Sequence, residues 1–409
     1  MSELVTVADV EAAHGLLAGV VRETPLELSR PLTAQLAGPA WLKCENLQRA
    51  GSYKVRGAYV RIARLSPAER ARGVVAASAG NHAQGVALAA GLLDAAATVF
   101  MPVGAPLPKV AATRGYGARV ELAGDTVDES LVAAQRFAER TGAVFIHPFD
   151  HPDVIAGQGT VALEILRQCP DVRTIVAGVG GGGLISGIAV VAKALRPDLR
   201  VVGVQAAGAA AFPPSLRAGR PVRLSGYATI ADGIAVGCPG DLTFAHVGKL
   251  VDEVVTATDE DISRALLMLL ERGKLLAEPA GAAAVAALLS GAVRDPGAPV
   301  VAVVSGGNID PLLLAKVLEH GLTAAGRYLR FTVRCADRPG QLARLLGQIA
   351  EQKANVVDVE HRRHDRRLRL GEVAVVLSVE TRGAEQSEAL VAALRASGYE
   401  VTFPQETPR

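Results

Sequence analysis

Apolar residues along the first 320 positions follow two rhythms. Short, mostly uninterrupted apolar runs occupy 73–78, 97–102, 119–122, 143–147, 174–179, 200–205 and 299–305. Between them lie alanine-rich stretches whose apolar positions recur three and four residues apart, as at 125–141, 157–169 and 183–195. A run too apolar to alternate is a strand covered on both faces, and the wider period is a helix able to cover it. The alternation predicts an α/β fold with parallel sheets between helices. Thr258, with Asp261 three residues on and the apolar run 262–270 behind it, predicts a capping-box helix start.

The rhythm changes near Thr323. Strands are predicted at 329–335, 355–362, 371–381 and 399–403, and helices at 341–353 and 384–397. The order βαββαβ is a ferredoxin-like unit. Residues 321–326 read as a short bridge into it, and the charged stretch 361–367 as a solvated loop.

Composition narrows the classes. With 50% hydrophobic and 21% charged residues the chain can bury a large core, which argues against disorder. A formal net charge of +2 offers no electrostatic reason for nucleic acid or an anionic membrane as partner. Residues 174–192 carry no charge and are long enough to suggest a membrane span, but four consecutive glycines at their centre suit a strand, a turn and a helix start instead. Glu3, Asp9, Glu11, Arg22 and Glu23 break up the first residues, so no signal peptide is expected. Cys44, Cys169, Cys238 and Cys335 lie too far apart for a metal or disulfide framework and read as reduced thiols in the cytoplasm.

Candidate chemistry gathers in four places. Lys54 sits in Gly51-Ser52-Tyr53-Lys54-Val55-Arg56-Gly57-Ala58, and Gly180, Gly181, Gly182 and Gly183 join a predicted strand to a predicted helix. Free N–H groups at a helix start attract an anion, and glycine lets it come close. Pyridoxal phosphate needs both a lysine for its aldehyde and a cradle for its phosphate. Taken alone, Lys54 reads as a surface charge and the glycines as a packing turn. Gly178, Gly180 and Gly183 also match a dinucleotide fingerprint, which leaves open a nicotinamide-dependent oxidoreductase. That reading wants an acid at the end of the next strand, where Gln205 stands. Residues 78–85 form another helix start, with Asn81 able to donate to a phenolic oxygen and His82 either a general acid or a structural ring. Ser305-Gly306-Gly307-Asn308 closes the run 299–305, where a serine could meet a ring nitrogen or simply turn the chain.

In register with these lie Lys43-x-Glu45-x-x-Gln48, Gly157-Gln158-Gly159-Thr160, Ala231-Asp232-Gly233 and Glu278-Pro279-Ala280-Gly281. Together the motifs resemble the threonine ammonia-lyases (threonine dehydratases), pyridoxal-phosphate enzymes of the tryptophan-synthase-β-like class, over about residues 5–322. The resemblance implies a two-subdomain, parallel-sheet, fold type II catalytic domain over 1–322, its smaller subdomain at about 49–151. It implies pyridoxal 5'-phosphate carried by Lys54, the ring hydroxyl at Asn81, the phosphate on Gly180, Gly181, Gly182, Gly183 and Leu184, and the pyridine nitrogen at Ser305. Ser78, Ala79, Gly80, Asn81 and His82 would surround the substrate. The implied reaction is β-elimination of L-threonine to 2-oxobutanoate and ammonia, a first step toward isoleucine, with L-serine as a second substrate. A serine ammonia-lyase or a β-replacement enzyme is the alternative.

Three positions depart from related patterns. Tyr53 stands where the family usually has phenylalanine, which keeps the ring. Ala79 stands where the serine racemases of this class place a second acid–base serine, which disfavours racemisation. Gln205 and Ala211 stand where some relatives hold a divalent cation with carboxylates, so no metal is expected there. Residues 327–409 resemble an ACT domain through Asp337-Arg338-Pro339-Gly340-Gln341-Leu342. That likeness implies an amino-acid effector, isoleucine or valine, at Asp337, Pro339, Gly340 and Leu342; the resemblance as a whole implies a homo-oligomer.

Overall fold

The computed structural model describes residues 3–324, 326–363 and 368–403. Of the charged stretch 361–367, residues 364–367 lie outside the described residues. The chain falls into two units, Met1–Leu313 and Leu314–Arg409.

Strands β1 (Leu26–Leu28) and β2 (Ala40–Lys43) open the first unit. Next come β3 (Val74–Ala77), β4 (Ala97–Met101), β5 (Arg119–Leu122) and β6 (Val144–Phe145), then β7 (Thr174–Gly178), β8 (Arg200–Ala206), β9 (Glu253–Ala257) and β10 (Val300–Val303). A six-stranded sheet runs β1-β2-β10-β7-β8-β9 and a four-stranded sheet runs β5-β4-β3-β6. Every neighbouring pair is parallel except β1 on β2. Every predicted strand of this region is present. The pattern missed β1, β2 and β9, which are short, stand beside charged residues and show no long apolar run.

Helix boundaries follow local chemistry. Thr258 caps the helix Asp259–Met268 in a reciprocal box with Asp261, as predicted. The helix expected at 157–169 instead spans Pro152–Gln168: His151 accepts from the Asp153 N–H, and Pro152 takes the first helical position. Histidine is a rare cap, which hid this start. Residues 321–324, expected as a bridge, are the end of the helix Pro311–Ala324.

The helix Pro152–Gln168 is what places the others. On one side it crosses the helix Lys54–Ala63, and a Cβ at Gly157 would lie 2.6 Å from the Gly57 Cα. On the other it crosses the helix Gly183–Leu195, where a Cβ at Gly187 would lie 2.4 Å from the Ile155 carbonyl oxygen. Only glycines allow helices this close. A buried charge cluster anchors the first crossing. Arg56 donates to Glu45 (2.8 and 2.9 Å) and to Glu164 (2.7 Å), and Lys43 donates to Glu164 (2.6 Å). Both cations have fully buried side chains. Burial alone would raise the Glu45 carboxyl, but Arg56 holds it below the usual range. Removing one partner from such a set costs about 3–5 kcal/mol, because the other charge stays buried.

In the second unit, β11 (Tyr328–Ala336), β12 (Asn355–Arg362), β13 (Glu372–Glu380) and β14 (Glu400–Thr402) form an antiparallel sheet ordered β12-β13-β11-β14. With the helices Gln341–Glu351 and Ala384–Ala396 this is the predicted βαββαβ order, closed over Phe331, Leu345, Leu377 and Leu390. Among the described residues no helix is long and apolar enough to cross a membrane.

Candidate active site

Lys54 is the first residue of its helix, reached through a tight passage in which Ala50 and Gly51 take left-handed φ values of 57° and 68°. That passage is pinned to the segment after β10. Ser52 bridges to Gly306, the Tyr53 N–H donates to the Ser305 carbonyl at 3.3 Å, and Asn308 Nδ2 donates to the Ala50 carbonyl at 2.7 Å. Gly85, in the helix Asn81–Leu92, backs directly onto the Lys54 main chain. These links bring Lys54, Ser305 and Asn81 together although their sequence positions are far apart.

All three line a cavity of about 670 Å³ in the first unit, together with Ser78, Ala79, Gly80, His82 and the loop Gly180 to Leu184. Lys54 Nζ donates to the Pro148 carbonyl at 3.0 Å. Burial brings its amine down to about 8, against the pull of Glu278 in the other direction. The loop after β7 reaches the helix Gly183–Leu195 through Gly182, whose φ is +98°. A side chain at Gly181 would run into the Phe149 ring at 2.3 Å. Among the described residues, no protein acceptor takes the N–H of Gly180, Gly181, Gly182 or Gly183. Such a cluster of free donors at a helix start favours an anion.

Asn81 has its amide set from both sides: Nδ2 donates to Glu278, and Oδ1 accepts from Asn308 Nδ2 at 2.8 Å. His82 is buried, with Nε2 on the Ile146 carbonyl at 2.8 Å. Burial, then Lys54, push its ring down to about 3, which favours the neutral ring. Ser305 is buried, and among the described residues its hydroxyl makes only a long bond of 3.5 Å, to the Ala280 carbonyl. Gln205 is committed elsewhere: its amide accepts from the Phe212 N–H at 2.8 Å and donates to the Val179 carbonyl at 3.4 Å, and Ala211 is buried.

Glu278, of the Glu278-Pro279-Ala280-Gly281 motif, enters the site without a role expected from its sequence. It precedes the helix Pro279–Leu289 without capping it, and its carboxyl turns into the cavity. Burial, followed by repulsion from Asp232, raises that carboxyl to about 7. A glutamate in place of the usual Ser, Thr, Asp or Asn cap ahead of a helical proline was the available signal. Lys109, in the helix Leu107–Gly115, and Asp232, in a short turn, were missed as a pair; both line the cavity and meet at 2.6 Å. Phe149, which backs the glycine loop, carries no local signal.

Asp337, Pro339, Gly340 and Leu342 belong to the second unit. The Asp337 N–H donates to the Gly371 carbonyl at 2.8 Å and its carboxylate accepts from Arg363 at 2.9 Å. Gly340, at φ +85°, precedes the helix Gln341–Glu351, and Leu342 packs on the unit's core.

The donor set fits one kind of molecule: an aldehyde for an amine of lowered proton affinity, an anionic tail for a glycine nest, and a ring between them. Comparisons with known proteins bear on this. The family described as pyridoxal-phosphate dependent enzyme matches residues 17–306, and the ACT domain matches residues 329–398. The chain is 48% identical to an L-threonine ammonia-lyase of Thermotoga maritima over 398 residues, 97% of this chain and 99% of that protein. It is 47% identical to an L-threonine ammonia-lyase of Geobacter sulfurreducens over 390 residues, 95% and 97% of the two chains. Among solved structures, the processed form of threonine deaminase isoform 2 from Solanum lycopersicum superimposes with a TM-score of 0.74 at 40% identity, covering 77% of this chain and 86% of that one. Maize serine racemase gives 0.73 at 36% identity, covering 79% and 99%.

Proposed function

The chain belongs to the pyridoxal-phosphate-dependent enzymes, with a C-terminal ACT domain, and from that premise we propose that it deaminates L-threonine by β-elimination to 2-oxobutanoate and ammonia. The observation that carries this is the Lys54 amine, lowered to about 8, sharing one cavity with a nest of unpaired glycine N–H groups. Lys54 would hold the cofactor's aldehyde carbon, Gly180 through Leu184 its phosphate, Asn81 its ring hydroxyl and Ser305 its ring nitrogen. Bound pyridoxal phosphate supplies an electron sink that acidifies the substrate Cα–H and lets a β-substituent leave.

The chain's own residues do the rest. Lys54 Nζ, which would hold the cofactor's aldehyde, would also be the base that takes the substrate's Cα proton. With its amine lowered to about 8 by burial, more of it is neutral near pH 7 than of an ordinary lysine. Helix-start N–H groups at 80–82 receive the substrate carboxylate. Ser305 brings a hydroxyl rather than a carboxylate to the ring nitrogen, which keeps positive charge from being stabilised there. Ala79 holds no proton to deliver to the opposite face of Cα, so elimination prevails over racemisation. L-serine, smaller by one methyl, is a second substrate, since a methyl pocket discriminates by only ~1–3 kcal/mol.

The ACT domain would bind an amino-acid effector, isoleucine or valine, through Asp337, Pro339, Gly340 and Leu342. We place the enzyme in the cytoplasm as a homo-oligomer, on its four free cysteines and its family. The test is release of 2-oxobutanoate from threonine alongside the visible absorbance of the protein. Lys54→Ala is expected to lower turnover by at least about 10²–10⁴-fold and to abolish the absorbance. A variant that keeps both would remove Lys54 from the mechanism. Faster turnover of serine than threonine, or product formed only with an added thiol, would move the chain to the serine-lyase or β-replacement reading.

A further inference from the structure

One buried hydroxyl beside the cavity has no part in the chemistry above. Thr243 lies in the helix Asp241–Leu250 and is fully buried. Its Oγ1 donates to the Gly181 carbonyl at 2.6 Å and lies 3.2 Å from the Gly240 carbonyl. Its N–H donates to Asp150 Oδ1 at 3.0 Å, and its carbonyl accepts a longer bond, 3.5 Å, from Ser186 Oγ in the helix that the glycine loop opens. Thr243 therefore grips both the loop and the helix behind it.

The consequence falls on the peptide joining Gly181 to Gly182. A trans peptide is planar, so its C=O and N–H point in opposite directions. With the Gly181 oxygen drawn back onto buried Thr243, the Gly182 N–H is turned toward the cavity side of the loop. Glycines on both sides of this peptide leave little steric resistance to its rotation. A rotated peptide would present a carbonyl to the cavity, the wrong sign of dipole for an anion. The geometry points to Thr243 as a positioning residue that sets the polarity of the glycine nest, and so the affinity for the cofactor's phosphate. This rests on the reading that Gly180–Gly183 receive that phosphate.

The experiment compares two ligands on the full-length protein freed of cofactor: pyridoxal phosphate, and pyridoxal, which lacks the phosphate. Binding is read by absorbance, with thermal melting as a check on folding. Thr243→Val keeps the volume and removes the hydroxyl; Thr243→Ser restores it. Thr243→Val should weaken pyridoxal phosphate about tenfold, as expected for a lost buried hydrogen bond, and leave pyridoxal unchanged, with Thr243→Ser close to wild type. Should the valine variant fail to fold, Thr243→Ala carries the same two-ligand comparison. Equal loss for both ligands, or loss for neither, overturns the proposal while sparing the loop's assignment. Wild-type protein that binds pyridoxal as tightly as pyridoxal phosphate overturns that assignment itself.

Discussion

Gly182 and Gly340 each stand in the left-handed region ahead of a helix, and their surroundings could hardly differ more. Gly182, at φ +98°, precedes the helix Gly183–Leu195, and Gly340, at φ +85°, precedes the helix Gln341–Glu351. Both leave first-turn N–H groups without helical partners, and read as sequence both promise an anion site. A Cβ at Gly182 would stand 2.8 Å from Phe212 Cζ and 2.9 Å from Thr243 Cβ, whereas one at Gly340 would meet nothing within 4 Å. The first start faces a cavity that also holds a desolvated lysine. At the second, the neighbouring Asp337 already pairs with an exposed arginine. A helix N-terminus attracts anions anywhere, but water and salt screen it unless the fold encloses it. Enclosure, rather than the glycine, is what separates the two helix starts.

Breaking the enclosed start should have the largest effect. Gly182→Ala combines left-handed strain of ~1–2 kcal/mol with overpacking of ~1–3 kcal/mol. Affinity for pyridoxal phosphate, measured by absorbance titration, should fall about 10²-fold. Next in size is the open unit's own contribution. Deleting residues 327–409 should make threonine turnover unresponsive to isoleucine and valine, removing a coupling of ~1–3 kcal/mol. Inhibition that survives the deletion would place the effector site elsewhere.

Glu278→Gln sharpens the electrostatic side of the comparison. The wild-type carboxyl, raised to about 7 by burial and then by Asp232, is protonated below that pH and anionic above it. As an anion it favours the charged form of Lys54. A permanently neutral side chain removes that pull. The rate at which cofactor-free protein captures pyridoxal phosphate should therefore level off below the wild-type value of about 8. A plateau at the same or higher pH would break the coupling between the two groups. The smallest effect is expected at the open start. Gly340→Ala should cost the second unit ~1–2 kcal/mol in thermal unfolding, with cofactor affinity unchanged.

Some of the site was legible from residues alone and some was not. Lys54, Asn81, Ser305 and the glycine loop each read as ordinary surface or turn residues alone, and became candidates only through their motifs taken together. His82 was legible only as a pair of possibilities, and its contact with the Ile146 carbonyl, 64 residues away, could not be read from the sequence. Glu278, Lys109 and Asp232 were missed as a group because only the fold brings the three to one cavity. Thr243 and Phe149 carry no local signal, since their role is to press on a loop distant in sequence.

What the chain determines by itself are the features whose physics is local. Apolar runs with no alternation became doubly covered strands, a threonine with an aspartate three residues on became a cap, and a glycine run between strand and helix became a loop with free N–H groups. The folded structure alone decides which of these meet. Ser52 on Gly306 brings the lysine to the serine, and paired glycines let three helices pack closely on one another. The proton affinities of Lys54, His82 and Glu278 belong in the same class. Each departs from its ordinary value because protein from distant segments has replaced water around it, and desolvation is a property of the enclosure rather than of the residue.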